Sequence, residues 1–191
     1  MSDNNMITIV SGLPRSGTSM MMRMLEIGGI PPLIDNIRKA DVDNPRGYYE
    51  FERVKKIKED TDWLEDAKGK VVKMVSDLLY HLPSDRKYKV VFMRRTMSEM
   101  LASQKKMLDR LGNKGAGVSD EKMIELYEKH LKKIMDWLET QDHIDVKYTW
   151  YNEILADPAA QAKEVNEFLN NVPDIEKMAS AVDGSLYRNK G

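Results

Sequence analysis

Residues 12–19, GLPRSGTS, contain two glycines separated by four residues, followed at once by two hydroxyl side chains. Glycines at these positions permit a tight turn and a close approach of the backbone to a ligand. Successive backbone N–H groups of such a loop curl around an anion. Thr18 and Ser19 offer hydroxyl donors to phosphate oxygens, and Arg15 is the only cation in the loop. The pattern predicts a P-loop that binds a phosphate-bearing nucleotide.

The loop departs from the nucleoside triphosphatase pattern at one position, where Thr18 replaces the lysine that follows the second glycine. That lysine contacts the β- and γ-phosphates, and an aspartate at a strand end normally holds Mg²⁺. The apolar segment that ends in Arg94 and Arg95 offers no acid. Asp77 is an alternative acid, but Lys73 interrupts the apolar run before it. The sequence therefore disfavours a Mg²⁺–ATP enzyme.

Four short apolar segments, rich in β-branched residues, predict the strands that must position this loop. The fourth alternates polar and apolar residues, as an edge or half-buried strand would. The predicted strands are residues 6–11, 70–75, 88–93 and 143–150.

Segments with helical periodicity lie between and after these strands. They are residues 18–27, 49–65, 98–111, 121–138, 158–169 and 174–182. Strands that alternate with helices favour a parallel sheet covered on both faces. We therefore expect a three-layer α/β/α P-loop fold with a central, mostly parallel sheet. The helix after the loop adds its positive end to the anion site.

Composition sets the broader expectations. The 191 residues fit a single domain spanning 1–191, with 41% hydrophobic and 32% charged residues. A net charge of −1 argues against nucleic-acid or membrane-surface partners. The absence of cysteine excludes disulfides, thiolate metal sites and a cysteine nucleophile. Because we find no signal peptide and no apolar stretch of about 20 residues, we expect a cytoplasmic protein.

At this point the residues resemble a known family. Residues 13–19, LPRSGTS, resemble the loop that holds the 5′-phosphosulfate of 3′-phosphoadenosine 5′-phosphosulfate (PAPS) in sulfotransferases. Arg95, followed eight residues later by Ser103, is similar to the family's pair for the 3′-phosphate. The family usually has Asn-Pro or Asp-Pro after this arginine, whereas this chain has Thr-Met. Residues 43–50 and 151–160 resemble further segments of bacterial sulfotransferases, so the resemblance runs along nearly the whole chain.

The resemblance implies a P-loop sulfotransferase that transfers a sulfuryl group from PAPS to a hydroxyl or amine acceptor without a metal. Its partners would be this nucleotide co-substrate and an acceptor that the sequence does not identify. Arg15 would act at the bridging oxygen and the sulfonate. The implied cofactor-binding residues are Pro14, Arg15, Ser16, Gly17, Thr18, Ser19, Arg95 and Ser103.

Two assignments keep alternatives at this stage. Arg94 competes with Arg95, since neighbouring strand residues point to opposite faces, and Arg95 has the alternative of pairing with a carboxylate. The histidine base of many cytosolic sulfotransferases would align with Val75, so that base is missing. Glu50 is the predicted catalytic base. The alternative is that Glu50 is an ordinary acidic residue in the first turn of a helix, where the helix dipole favours a negative charge. Asp77 is the second choice.

Two other functional classes stay open. One is a P-loop nucleotide kinase or NTPase, and the other is a non-catalytic nucleotide-binding protein. The C-terminal run 187–191 resembles a basic segment that contacts the 3′-phosphate in the family, with a disordered tail as the alternative. Nothing in the sequence identifies the oligomeric state.

Overall fold

The computed structural model describes residues 6–35, 37, 47–110, 112 and 118–182. Four strands form one sheet in the order β2-β1-β3-β4, and every pair is parallel. This confirms the predicted parallel sheet, and β4 lies at an edge as its alternating pattern indicated. The strands are Ile7–Gly12 (β1), Val71–Val75 (β2), Tyr88–Arg94 (β3) and Ile144–Trp150 (β4).

Helices connect the strands. Among the described residues these are α1 (Thr18–Ile27), α2 (Trp63–Asp66), α3 (Met97–Arg110), α4 (Asp120–Leu138), α5 (Tyr151–Ala156), α6 (Pro158–Phe168) and α7 (Ile175–Ser180). Two 3₁₀ helices span Glu52–Lys56 and Ser76–His81. Side-chain caps begin three of the α-helices, with Ser119, Asp157 and Asp174 each accepting from a backbone N–H of the first turn.

The predicted helix over residues 49–65 is wrong. Tyr49 has a positive φ of 54°, and the chain forms the 3₁₀ helix Glu52–Lys56 and, separately, α2. The carboxylate of Asp35 accepts the backbone N–H of Glu52 at 2.6 Å, which caps the 3₁₀ helix from a distant part of the chain. A side chain that accepts a backbone N–H in this way competes with the backbone hydrogen bonds of a continuous helix. Glu50 therefore lies in an irregular segment before the 3₁₀ helix and not in a first helical turn.

The helices cover both faces of the sheet. On one face Ile9 and Phe92 pack with Leu131 and Ile134 of α4. On the other face the strands pack against α1, α6 and α7, including the buried methionines of α1. The three-layer α/β/α prediction is confirmed. Because all strands are parallel, the loop after β1 lies at the same edge as the ends of β2 and β3.

None of the helices in the described part of the chain combines the length and the hydropathy needed to span a membrane.

Candidate active site

The loop between β1 and α1 begins at a position, Gly12, that has no room for a side chain. A Cβ on Gly12 would lie 2.6 Å from the Ser16 hydroxyl oxygen and 2.7 Å from the Met93 carbonyl oxygen. Arg15 itself has a φ of +68°, a conformation that is costly for a residue with a side chain. Such strain is concentrated at ligand clamps and catalytic loops. The loop backbone thus adopts a conformation that its residues disfavour on their own, as expected for a binding loop.

Ser16 fixes this shape from within. Its hydroxyl donates to the Leu13 carbonyl at 2.7 Å, and its backbone N–H donates to the same oxygen at 3.2 Å. Both donors of Ser16 are therefore engaged inside the loop, and its role as a cofactor ligand stays a prediction. Beyond it α1 begins at Thr18, and the first N–H groups of a helix lack partners within the helix. These amides and the helix dipole create an anion site at Thr18 and Ser19. Pro14 is exposed on the loop surface.

Three residues that the sequence singled out meet at this loop. The Arg15 Nε donates to the Ser103 hydroxyl oxygen at 3.0 Å. The Arg95 Nη1 donates to the Arg15 carbonyl oxygen at 3.3 Å. These contacts join the P-loop to the end of β3 and to α3 across 80 and 88 residues of sequence. The structure thus brings Arg15, Arg95 and Ser103 together.

Arg95 also makes a buried ion pair. Its Nε lies 3.0 Å from Glu99 Oε2, and the two side chains are only 7% and 8% exposed. Asn152 donates to the other Glu99 oxygen at 3.0 Å, so the carboxylate is held on both sides. A carboxylate is the alternative partner of Arg95 in the sequence analysis, and Glu99 is such a carboxylate. A bound phosphate would therefore share the Arg95 guanidinium with Glu99.

Tyr151 completes this cluster from the start of α5. Its ring lies under the Arg95 guanidinium, with 4.2 Å between the ring centroid and the guanidinium carbon. Burial is the largest cause that raises the pKa of the Tyr151 phenol, while the positive charge of Arg95 opposes the rise. The phenol is neutral at physiological pH, and the ring acts as a stacking surface against the P-loop.

Arg94 lies apart from this cluster. Its guanidinium carbon is 4.7 Å from the Trp150 ring centroid, and its Nη1 contacts the Met135 sulfur at 3.3 Å. Met135 belongs to α4, on the opposite face of the sheet from α1. Strand alternation therefore separates the two arginines, and the P-loop cluster contains Arg95.

Lys73 is a site residue that the sequence analysis missed. It pairs with Val10 in the sheet, and its Nζ lies 3.4 Å from the Ser19 hydroxyl oxygen. It also donates to the Tyr48 carbonyl. From the sequence this lysine is treated as an interruption of the apolar run and is not placed beside Ser19. The sequence does show a lysine near the end of β2. Only the structure shows that β2 pairs with β1, the strand that leads into the P-loop.

The predicted base Glu50 lies in the segment that Lys73 ties to the loop. Tyr48, two residues earlier, accepts the hydrogen bond from Lys73, and the Glu50 carbonyl accepts one from the Asp35 N–H at 3.3 Å. Glu50 is partly buried. The segment thus runs beside the P-loop, and the role of the Glu50 carboxylate stays a prediction.

Asp77, the second choice for the base, meets a histidine. Its Oδ1 lies 3.3 Å from His130 Nδ1, and the Ser76 hydroxyl oxygen lies 2.8 Å from His130 Nε2. His130 and Ser76 are 54 residues apart in sequence. The basic run 187–191 lies outside the described residues. Within the described ranges no group of three or more metal-ligating side chains is gathered as a metal site.

The comparison of the sequence with known families decides the identity. A family model described as "Sulfotransferase domain" matches residues 7–189. The chain belongs to the sulfotransferase domain family. Members of this family are transferases, and the P-loop cluster is the candidate for the donor-binding site.

Two solved structures have the same fold as this sulfotransferase. The sulfotransferase domain from the curacin biosynthetic pathway is 14% identical with a TM-score of 0.56, covering 94% of this chain and 78% of that one. The sulfotransferase domain from the Synechococcus PCC 7002 olefin synthase is 14% identical with a TM-score of 0.59, covering 98% and 80%. The search of curated proteins finds no match.

Proposed function

We propose that this sulfotransferase uses PAPS as its donor and transfers the sulfuryl group to a hydroxyl or amine acceptor. The observation that carries the proposal is the meeting of Arg15, Ser103 and Arg95 at the amino end of α1. PAPS carries anionic groups at both its 5′ and 3′ ends. A loop with helix amides and a nearby pair of arginines offers donors to two separate anions.

The described residues fit such a donor. The amides at the start of α1, with the Thr18 and Ser19 hydroxyls, suit the 5′-phosphosulfate. Arg95 and Ser103 are our proposed contacts for the 3′-phosphate, because a guanidinium recognises a phosphate through charge-assisted bonds. The ion pair with Glu99 then keeps the Arg95 guanidinium in position before the nucleotide binds.

The proposed reaction is an in-line displacement at sulfur. The acceptor oxygen or nitrogen bonds to sulfur, the bond between sulfur and the bridging oxygen breaks, and the electron pair leaves with the 5′-phosphate. Negative charge grows on the leaving group, so cations preorganised beside it lower the barrier. Arg15 and Lys73 are the two cations at the loop that we assign to this task. A general base takes the acceptor proton, and Glu50 is the carboxylate that the sequence predicts for it.

Thermal denaturation with three ligands tests the proposal. We expect 3′-phosphoadenosine 5′-phosphate (PAP) and PAPS to raise the melting temperature, and ATP with Mg²⁺ to have a smaller effect. Stabilisation by ATP–Mg²⁺ alone would support a nucleotide kinase or NTPase instead. Stabilisation by PAP without transfer from PAPS to any acceptor would support a non-catalytic nucleotide-binding protein.

A cytoplasmic location and a single domain over residues 1–191 belong to the same proposal, and cell fractionation and limited proteolysis would test them.

A further inference from the structure

Ser76, His130 and Asp77 form a chain of hydrogen-bonding groups beside the P-loop. The Ser76 hydroxyl oxygen is 2.8 Å from His130 Nε2, and His130 Nδ1 is 3.3 Å from the Asp77 carboxylate. A hydroxyl, an imidazole and a carboxylate in this order are the arrangement that makes an imidazole accept a hydroxyl proton. Among the described residues, Asp77 is the charged side chain that meets the His130 ring.

The register of the sheet places this group next to the loop. Gly12 at the end of β1 pairs with Val75 at the end of β2, and Ser76 is the next residue. Neighbouring strands are about 5 Å apart and consecutive Cα atoms about 4 Å apart, so Ser76 lies within roughly 9 Å of Gly12. His130 comes from α4, which packs on the face opposite α1.

The two faces of the sheet therefore supply complementary chemistry at one edge. On the α1 side, Lys73 of β2 reaches Ser19 at the start of the helix. On the α4 side, His130 meets the residue that follows β2. A cation on one side suits the leaving phosphate, and an imidazole on the other suits the incoming acceptor.

Burial assigns the roles within the group. Ser76 is only 2% exposed, so an external molecule does not reach it as a nucleophile. The His130 side chain is 22% exposed, and that of Asp77 is 77% exposed. With Nδ1 facing a carboxylate, the tautomer assigned from these partners carries its proton on Nδ1. The Nε2 lone pair then accepts the Ser76 hydroxyl proton.

We propose that His130 is the general base for the acceptor, held in orientation by Asp77. The inference rests on the proposed function. When the acceptor binds, the Ser76 side chain turns away from Nε2, and the acceptor hydroxyl reaches the partly exposed imidazole and donates to Nε2 instead. As the acceptor oxygen bonds to sulfur and the bond from sulfur to the bridging oxygen breaks, the acceptor proton moves to Nε2. The resulting imidazolium is stabilised by the Asp77 carboxylate and later returns its proton to water.

This proposal gives His130 the task that the sequence assigned to Glu50. Acceptors that differ in ionisation separate a base from a merely structural residue. We would measure transfer from PAPS to alkyl alcohols, to phenol and, at a mildly alkaline pH where it is largely ionised, to 4-nitrophenol, which then needs no base. The variants are His130→Gln and Glu50→Gln, with His81→Gln as the matched control. His81 also follows β2 in sequence and ends the 3₁₀ helix that begins at Ser76.

For His130→Gln we expect kcat to fall about 10²-fold or more with the un-ionised acceptors, the usual contribution of a general base. We expect a much smaller loss with 4-nitrophenol and unchanged PAP binding by calorimetry. Ser76→Ala should cost less than His130→Gln, since Ser76 only occupies the acceptor's place. His81→Gln should match the wild type.

An equal loss with every acceptor would overturn the role of His130 as a base, and so would no loss. An acceptor-selective loss in Glu50→Gln but not in His130→Gln would assign the base to Glu50. A wild-type protein that binds PAP but transfers to no acceptor would overturn the inference as well. Failure to bind PAP at all would refute the proposed function itself and is recognised in the calorimetry before any kinetics.

Discussion

Replacing Gly17 with alanine tests whether the P-loop is held by the Tyr151 ring. A Cβ on Gly17 would lie 2.5 Å from Tyr151 Cδ2, well inside normal contact, and Gly17 has a φ of +99°. The ring has little room to retreat, because it is 8% exposed and lies under the Arg95 guanidinium at 4.2 Å. The substitution therefore strains the backbone and the packing together.

The magnitude follows from these two causes. A left-handed backbone costs an alanine about 1–2 kcal/mol. Overpacking a buried contact costs about 1–3 kcal/mol. We therefore expect Gly17→Ala to lower the free energy of unfolding by about 2–5 kcal/mol. PAP affinity should fall as well, because the strained residue directly precedes the anion-binding start of α1.

Urea denaturation followed by circular dichroism measures the effect, and Gly29→Ala is its matched control. Gly29 has a φ of +104°, and no described atom lies within 4 Å of a Cβ added there. Gly29→Ala should thus show only the backbone cost, about 1–2 kcal/mol. The double variant Gly17→Ala/Tyr151→Ala should recover the packing part, measured as a coupling energy in a double-mutant cycle.

Equal destabilisation by Gly17→Ala and Gly29→Ala would refute this reasoning. A coupling energy of zero between Gly17 and Tyr151 would also refute it, because the ring would then not be what confines the loop.

Three further substitutions test the charges around the loop. Arg15→Ala should lower kcat in PAPS-dependent transfer by about 10²–10³-fold, the loss seen when one preorganised donor is removed; an unchanged kcat would contradict its assigned role. Lys73→Met should slow transfer about tenfold or more, measured by the same assay, because a cation beside Ser19 is lost; a faster variant would contradict this. Glu99→Gln should lower the melting temperature, since it leaves Arg95 buried without its carboxylate. It should also enlarge the stabilisation by PAP, and an equal or smaller PAP shift would show that Arg95 does not meet the nucleotide.

Much of the fold could be predicted from local sequence patterns. The four strands are short apolar runs, and α1 begins directly after a glycine loop, so neither depends on distant contacts for recognition. The helix predicted for residues 49–65 failed at its start, where Tyr49 has a positive φ and Asp35, 17 residues before Glu52, caps the Glu52 N–H. A periodic pattern of apolar residues does not reveal such a contact.

The candidate site, too, could be predicted from the sequence only in part. The loop and the Arg95–Ser103 spacing are continuous sequence features and were therefore visible. Glu99 stands four residues after Arg95, yet only the structure shows that the pair is buried. Lys73 was visible as a residue, but its contact with Ser19 depends on the pairing of β1 with β2. The approach of His130 to Ser76 depends on how α4 crosses the sheet, which no local pattern encodes.

Calorimetric comparison of PAP with AMP, and with ATP plus Mg²⁺, tests the central claim most directly. PAP and AMP differ only in the 3′-phosphate, which we assign to Arg95 and Ser103. A charge-assisted contact of about 1.5–3 kcal/mol predicts that PAP binds roughly ten- to hundredfold more tightly than AMP. The account also predicts weaker binding of ATP with Mg²⁺ than of PAP. Equal affinities for PAP and AMP, or tighter binding of ATP with Mg²⁺, would contradict it.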